Sequence, residues 1–319
     1  MTWMRCCAVS KEKNFASAVI YVHNAADRIE GFLKMTASVL GENFEHSEIV
    51  CVNDKSTDDS VQIIRKAAAE ISGITVTVVN LSYFHGVESA MAAGNALTIG
   101  DFVFEFDSCW QDFSEDMIMA VYRKALQGYD VVSAVPQQKN RFSSKLFYWL
   151  MERYSRVPID LHTERFCVVS RRVINRVKDL NQKIPYRKMA YATSGLRTST
   201  VEYPVLEAGS GRVLKETERK YRAGLAVDTL LLFTDVGYRL ASGLSVLMML
   251  IAIFMAVYSL VIYLSAVPVA GWTTTILFLS IAFVGLFALL AVIIKYLQIL
   301  VELIFKRKQF TFESIEKVT

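Results

Sequence analysis

The stretch from Ala241 to Ile294 contains no Asp, Glu, Lys or Arg. A run of that length is enough for two apolar helical spans of about 20 residues each. The break between them is marked by Ser265-Ala-Val-Pro-Val-Ala-Gly271, which supplies a proline and a glycine, with Trp272 following at a depth where interfacial aromatics settle. The spacing predicts spans over 241–264 and 272–294. Arg219, Lys220, Arg222 and Arg239 precede the first, Lys295, Lys306, Arg307 and Lys308 follow the second, and the connecting loop is uncharged. The positive-inside rule therefore places both termini in the cytoplasm, with a multi-pass anchor in the cell membrane. A buried helical hairpin in a soluble core is the plainer alternative. No ionisable residue lies within the spans to mark an ion or proton path, which argues against a transporter.

The composition agrees with a chain of two unlike parts. It is 53% hydrophobic yet 21% charged, with a mean hydropathy of +0.32. A net charge of +4 is too mild to argue for a nucleic-acid partner. Cys6, Cys7, Cys51, Cys109 and Cys167 form no CxxC pair, so neither a zinc site nor a disulfide framework is expected. The first residues, Met1 to Asn14, lack the apolar run of a cleaved signal peptide. Arg212, Lys215, Arg219, Lys220 and Arg222 form a basic lead-in to a largely apolar Leu225–Val236 segment. That pattern reads either as an interfacial helix suited to anionic headgroups or a lipid phosphate, or as topology-setting charge alone. The expected organisation is a domain over 1–210, an acceptor loop and interfacial helix over 211–240, a transmembrane hairpin over 241–294 and a cytosolic tail over 295–319.

Residues 17–210 alternate β-rich runs with helical patterns. Strands are expected at Ser17–Val22, Glu48–Val52, Ile74–Val79, Asp101–Phe106 and Asp130–Val135, with helices over about 26–40, 56–71, 87–96 and 114–126. This is the signature of βαβ units in a mostly parallel sheet, an α/β fold that binds ligands outside the carboxyl ends of its strands. Polar clusters occupy two such ends: Asn53-Asp-Lys-Ser-Thr-Asp58 and Asp107-Ser-Cys-Trp-Gln-Asp112.

These clusters, in this order, resemble the family 2 glycosyltransferases of the GT-A fold, in particular the polyprenyl-phosphate glycosyltransferases related to dolichol-phosphate mannose synthase and bacterial undecaprenyl-phosphate glucosyltransferases. Asn53–Asp58 resembles the family's DDGSTD. Leu81, Ser82, Gly86, Ala90, Ala93 and Gly94 match its LSRNFGHxxAxxAG. Asp107–Glu115 resembles DADLQDPPE, Phe166–Val173 resembles FRLMSRRV, and Thr217–Tyr221 resembles GESKY. The resemblance covers nearly the whole chain.

It implies a membrane-anchored, inverting transfer of a hexose from a nucleotide sugar, UDP-hexose first, to polyprenyl phosphate on the cytosolic face, for cell-surface glycan or lipid modification. Asn24, Asp54 and Asp107 would bind the nucleotide sugar; the alternative for the Asn53–Asp58 cluster, an Asx-turn or helix cap, fits Ser56 and Asp58 better than Asp54. Asp107, Asp112, Glu164 and Arg165 are the candidate catalytic group. Mg²⁺ or Mn²⁺ would be held by Asp107, Cys109 and Gln111. Cys109 stands where the family has a carboxylate, and a soft thiol weakens such a site; a cysteine packed under a loop is the alternative. Arg165 stands where the family has Asp. A lipid phosphate is already largely ionised near pH 7, with a second pKa of about 6, so orientation and neutralisation matter more than a base. Arg171, Arg172, Lys220 and Tyr221 are the candidate acceptor-phosphate residues, the two arginines being equally at home at a solvated helix start. His23, His46, His85 and His162 are too dispersed for a helical metal pair. The family allows a homo-oligomer. The departures at Ala25, Cys109 and Arg165 motivate an alternative function, a catalytically impaired membrane scaffold that binds nucleotide or partner proteins without turnover.

Overall fold

The computed structural model describes residues 10–137, 164–179, 186–206, 224–228 and 312–317, with scattered helical positions between 149 and 300. The chain divides into two compact units, one of residues 1–148, 159–225 and 308–319, the other of 149–158 and 226–307. The expected spans fall largely outside the described residues, among which no helix is long and apolar enough to cross a membrane. The acceptor-loop residues Lys220 and Tyr221 also lie outside them.

The first unit is built on one eight-stranded sheet among the described residues. Its strands are β1 (Ala16–Val22), β2 (Ser47–Asn53), β3 (Thr75–Leu81), β4 (Phe102–Phe106), β5 (Val131–Pro136), β6 (Phe166–Ser170), β7 (Thr198–Tyr203) and β8 (Phe312–Lys317), in the order β7-β5-β6-β4-β1-β2-β3-β8. The helices are α1 (Ile29–Asn43), α2 (Ser60–Glu70), α3 (Val87–Leu97), α4 (Asp116–Ala125), α5 (Arg171–Asp179) and α6 (Arg187–Thr193). β1 pairs in parallel with β2 and β4, β2 with β3, and β5 with β7. The sheet is thus mostly parallel, as the alternating pattern predicts.

The sequence of β1, Ala-Ser-Ala-Val-Ile-Tyr-Val, is buried along its whole length. A central parallel strand covered on both faces has no solvated side, so it reads as a continuous apolar run. Ala18, Ile20 and Val22 point into one layer with Phe32 and Leu33 of α1, Ile64 of α2 and Ile118 of α4. Val19 and Tyr21 point into the other, with Ala90, Met91 and Ala93 of α3. Gly94 lets α3 approach closely: a Cβ there would clash with Val19 and lie 2.9 Å from Val52 Cγ2.

Two strands depart from the parallel scheme. β6 runs antiparallel to both β4 and β5, with Phe166 opposite Phe106 and Ser170 opposite Phe102. β8, from the expected tail, returns to the sheet and pairs antiparallel with β3. Arg65 of α2 clasps Glu316 of β8 through Nη2 at 2.7 Å and Nε at 3.0 Å. Residues 312–317 are therefore an edge of the first unit's sheet.

Candidate active site

The carboxyl ends of β1, β2 and β4 lie side by side, and their loops are stitched together. Asn24 adopts a left-handed conformation (φ 49°) after β1. Its Oδ1 accepts the Thr57 amide at 2.8 Å, while its own amide donates to Ser56 Oγ at 3.0 Å. Ala25 and Ala26 donate to Ser60 Oγ at 2.9 Å and Asp58 Oδ2 at 3.0 Å. These bonds explain the polar composition of 53–60: it satisfies the backbone where two strands end.

Asp54 is fully buried. Its carboxylate accepts the His85 amide at 2.8 Å, the Gly86 amide at 2.8 Å and the Tyr21 hydroxyl at 3.0 Å. Gly86 takes a positive φ of 82° at the start of α3, a conformation that glycine adopts without steric cost. Asp54 thus ties the β3–α3 loop to the ends of β1 and β2. The structure turns its carboxylate toward two backbone amides and the Tyr21 hydroxyl.

At the end of β4 the arrangement is electrostatic. Asp107 Oδ1 lies 2.6 Å from Arg187 Nη2, and Oδ2 lies 2.8 Å from Lys188 Nζ. Lys188 also reaches Glu164 Oε1 at 2.9 Å. Behind them Arg187 Nε is 2.8 Å from Glu105 Oε2, and its backbone amide donates to Glu88 at 2.9 Å. Glu105 also receives the Tyr191 hydroxyl at 2.5 Å and the Asn95 side-chain amide. Burial opposes the Asp107 charge, but the Lys188 and Arg187 cations outweigh it and hold its carboxyl well below the usual carboxylate range. Burial pushes the Glu88 carboxyl up, against the pull of Arg187. Burial disfavours the charge on Arg187, yet Glu105, Asp107 and Glu88 keep it firmly protonated.

Four members of this group escape a motif reading: Glu88, Glu105, Arg187 and Lys188. One signal was present in the sequence. Glu105 interrupts the apolar run of β4, Phe-Val-Phe-Glu-Phe, and a charge inside a buried strand requires a partner.

The other expected residues are placed differently from that reading. Asp112 is fully buried, accepts the Tyr203 hydroxyl at 2.9 Å and pairs with Arg165 Nε at 2.6 Å. Its carbonyl accepts the Leu206 amide at 3.0 Å. Asp112 and Arg165 therefore form a strut between the β4–α4 loop and the end of β7, so the expected catalytic group separates into two pairs: Asp112 with Arg165, and Asp107 with Glu164 through Lys188. Arg171 and Arg172 lie at the opposite end of the sheet. Arg171 bonds Gly100 O at 2.9 Å, before β4 begins, and Arg172 is 4.0 Å from Asp130, before β5. The reason is the antiparallel sense of β6: it starts beside Asp107 and ends roughly 15 Å away. A phosphate bound at Asp107 is out of reach of both arginines.

A divalent cation of the Mg²⁺ or Mn²⁺ type takes hard oxygen ligands. Both Asp107 oxygens are occupied by side-chain cations. Cys109 is 5% exposed, and its thiol donates to the Tyr21 carbonyl at 3.4 Å. Gln111 is half-buried. Among the described residues no three His, Cys, Asp or Glu side chains gather as a ligand set. The donor set as arranged does not fit such a metal.

Comparison with known proteins identifies the family and the fold. The family model described as Glycosyl transferase family 2 matches residues 17–191, a span that runs from β1 to α6. An uncharacterized glycosyltransferase of Synechocystis sp. is 30% identical over 191 residues, 58% of this chain and 59% of that one. The undecaprenyl-phosphate 4-deoxy-4-formamido-L-arabinose transferase of Edwardsiella ictaluri is 35% identical over 148 residues, 45% of each chain. The chain thus spans between about half and three-fifths of the length of these relatives. The solved glucosyl-3-phosphoglycerate synthase of Mycobacterium tuberculosis, in complex with Mn²⁺, uridine diphosphate and phosphoglyceric acid, matches with a TM-score of 0.50 and 16% identity. That match covers 70% of this chain and 81% of the synthase. At that identity the likeness is one of fold, and the fold is GT-A.

Proposed function

Because the chain belongs to glycosyl transferase family 2, we propose that it moves a hexose from a nucleotide sugar, a UDP-hexose first, to polyprenyl phosphate, with inversion at the anomeric carbon. The observation that carries this reading is the Asp107–Lys188–Glu164 group at the carboxyl end of β4, where an α/β sheet binds its ligands. The Edwardsiella relative is named for undecaprenyl phosphate, and the solved synthase holds uridine diphosphate. A lipid phosphate, with a second pKa of about 6, needs no general base at neutral pH. What this chain has to supply is position and neutralisation, the chemistry for which a fixed set of side-chain charges is suited.

The uncharged 241–294 segment supports a cell-membrane anchor. The pairing of β8 with β3 supports an even number of crossings between β7 and β8, and the basic residues flanking the uncharged segment support the cytosolic side for the site. Binding without turnover is the second reading. One observation favours it: the Asp54 carboxylate already accepts three hydrogen bonds from the chain itself, two from loop amides and one from Tyr21 of β1.

The deciding experiment incubates the purified full chain in detergent with a panel of nucleotide sugars and undecaprenyl phosphate. The proposal expects a sugar-phosphate lipid and nucleoside diphosphate in equal amounts. Nucleotide binding with no lipid product establishes the scaffold reading instead.

A further inference from the structure

We propose that Lys188, steadied by Arg187, takes the part that a divalent cation plays in metal-using transferases: its ammonium neutralises the diphosphate of the nucleotide sugar as the sugar leaves. The inference rests on the reading above that the donor is a nucleotide sugar.

The group is closed at one end and open at the other. Glu105 has no exposed side-chain surface and Arg187 is 6% exposed, whereas Lys188 is 12% and Asp107 is 17% exposed. Arg187 is therefore the anchor. It is pinned by Glu105 and Glu88, and it holds one oxygen of Asp107 while leaving the other to Lys188. Lys188 is the cation nearest the open end. Its ammonium bridges Asp107 and Glu164 at 2.8 and 2.9 Å, which uses two of its three donors. A compact point charge on a flexible four-carbon stem suits this task. It can exchange a carboxylate for a phosphate oxygen without moving the backbone, whereas Arg187 is committed inside.

The balance of the step is simple. An acceptor phosphate oxygen forms a bond to the anomeric carbon as the bond from that carbon to the diphosphate oxygen breaks. The electron pair departs with the nucleoside diphosphate. No proton moves at the leaving oxygen, so the added negative charge must meet a fixed positive one. Lys188 supplies it while Asp107 and Glu164 hold it in place. This also accounts for Cys109. Once a tethered ammonium is the counter-charge, a second carboxylate in the loop serves no metal, and the position is free to become core, where Cys109 packs.

The test measures binding of UDP and GDP, with UMP and GMP as controls, to the full chain in detergent by calorimetry, first in EDTA and then in Mn²⁺. The terminal phosphate is the only difference within each pair. In EDTA the wild type should prefer a diphosphate over its monophosphate by about tenfold or more, the size expected of one charge-assisted contact. Mn²⁺ should change that preference by less than about threefold. Lys188→Gln should reduce the preference toward one without moving monophosphate affinity, and Lys188→Arg should keep most of it. A merely structural lysine would weaken both ligands together. A diphosphate preference that appears only with Mn²⁺, or that survives in Lys188→Gln, overturns the inference and leaves the proposed function standing. Failure to bind any of the four nucleotides in either condition overturns the proposed function, and the inference with it. If Lys188→Gln does not fold, the wild-type comparison of EDTA with Mn²⁺ decides alone.

Discussion

The two ends of the central sheet carry similar residues and differ in what surrounds them. At the carboxyl end of β4, Asp107, Glu164, Arg187 and Lys188 converge with their side chains mostly buried. At the other end, Arg172 and Asp130 stand 4.0 Å apart, and the Arg172 side chain is 68% exposed. Water screens the second pair, so its interaction contributes little. The first group is desolvated, so each charge there depends on its partners and shifts their ionisation. Residue type alone does not make a site. Strand direction does, because the antiparallel β6 delivers Glu164 to one end and its following arginines to the other.

The sharpest way to break this contrast is to remove one buried charge. Glu105→Gln leaves Arg187 without its fully buried partner and weakens the bond from Tyr191. Breaking such a pair costs about 3–5 kcal/mol. The unfolding midpoint in denaturant should move accordingly, and transfer activity should be lost with it. A change below about 1 kcal/mol would mean that the inner group is as screened as the outer pair.

Asp54→Ala should rank next. It strands two amides, those of His85 and Gly86, and the Tyr21 hydroxyl in a buried place. An unsatisfied buried donor costs about 1–3 kcal/mol, and partial relaxation brings the total to about 3 kcal/mol. Stability measured by denaturant titration should fall. Any residual nucleotide affinity should track the folded fraction if Asp54 acts only through the loop.

The pH dependence comes third, and its sign differs within the group. Asp107 has a lowered carboxyl pKa when folded, so its contribution is present above the ordinary value of about 3.9 and is lost as pH falls through it and below. Glu88 has a raised one. Its contribution is present below the ordinary value of about 4.3 and is lost as pH rises through its folded value. As pH falls toward the ordinary carboxylate value of about 4.3, the wild type should therefore gain a little stability as Glu88 takes up a proton. Glu88→Gln should flatten that rise while keeping the acid loss. A thermal-midpoint series against pH on both proteins reads this, and identical slopes would remove Glu88 from the account.

The alternation of apolar strands and amphipathic helices over 17–136 was legible because a buried parallel sheet leaves each strand no polar face, as β1 demonstrates. The loops after β2 and β4 were legible as polar clusters at strand ends. The use to which Asp54 is put was not, because an acidic residue at a strand end serves a loop amide or a ligand with the same side chain. Lys188 and Arg187 carried no signal at all: a basic pair at the start of a short helix is ordinary, and only the placement of α6 beside β4 gives it meaning. The direction of β6 was hidden for a related reason, since a five-residue apolar strand reads the same both ways along a sheet.

The smallest expected effect tests the quiet end of the sheet. Arg172 resembles in sequence a residue of an acceptor-handling segment, and its charge would be missed if lipid phosphate bound near it. The structure puts it past the far end of β6, roughly 15 Å of strand from Asp107, with a mostly exposed side chain facing Asp130. An exposed pair of this length contributes a few tenths of a kcal/mol at most. Arg172→Ala should therefore change stability by less than about 0.5 kcal/mol. It should leave the apparent KM for undecaprenyl phosphate within about twofold, and do so equally at low and high salt. A KM rise of about tenfold that salt abolishes in the wild type would show that lipid phosphate is drawn to this end after all. The two ends of the sheet would then share one electrostatic task, and the contrast between them would fall.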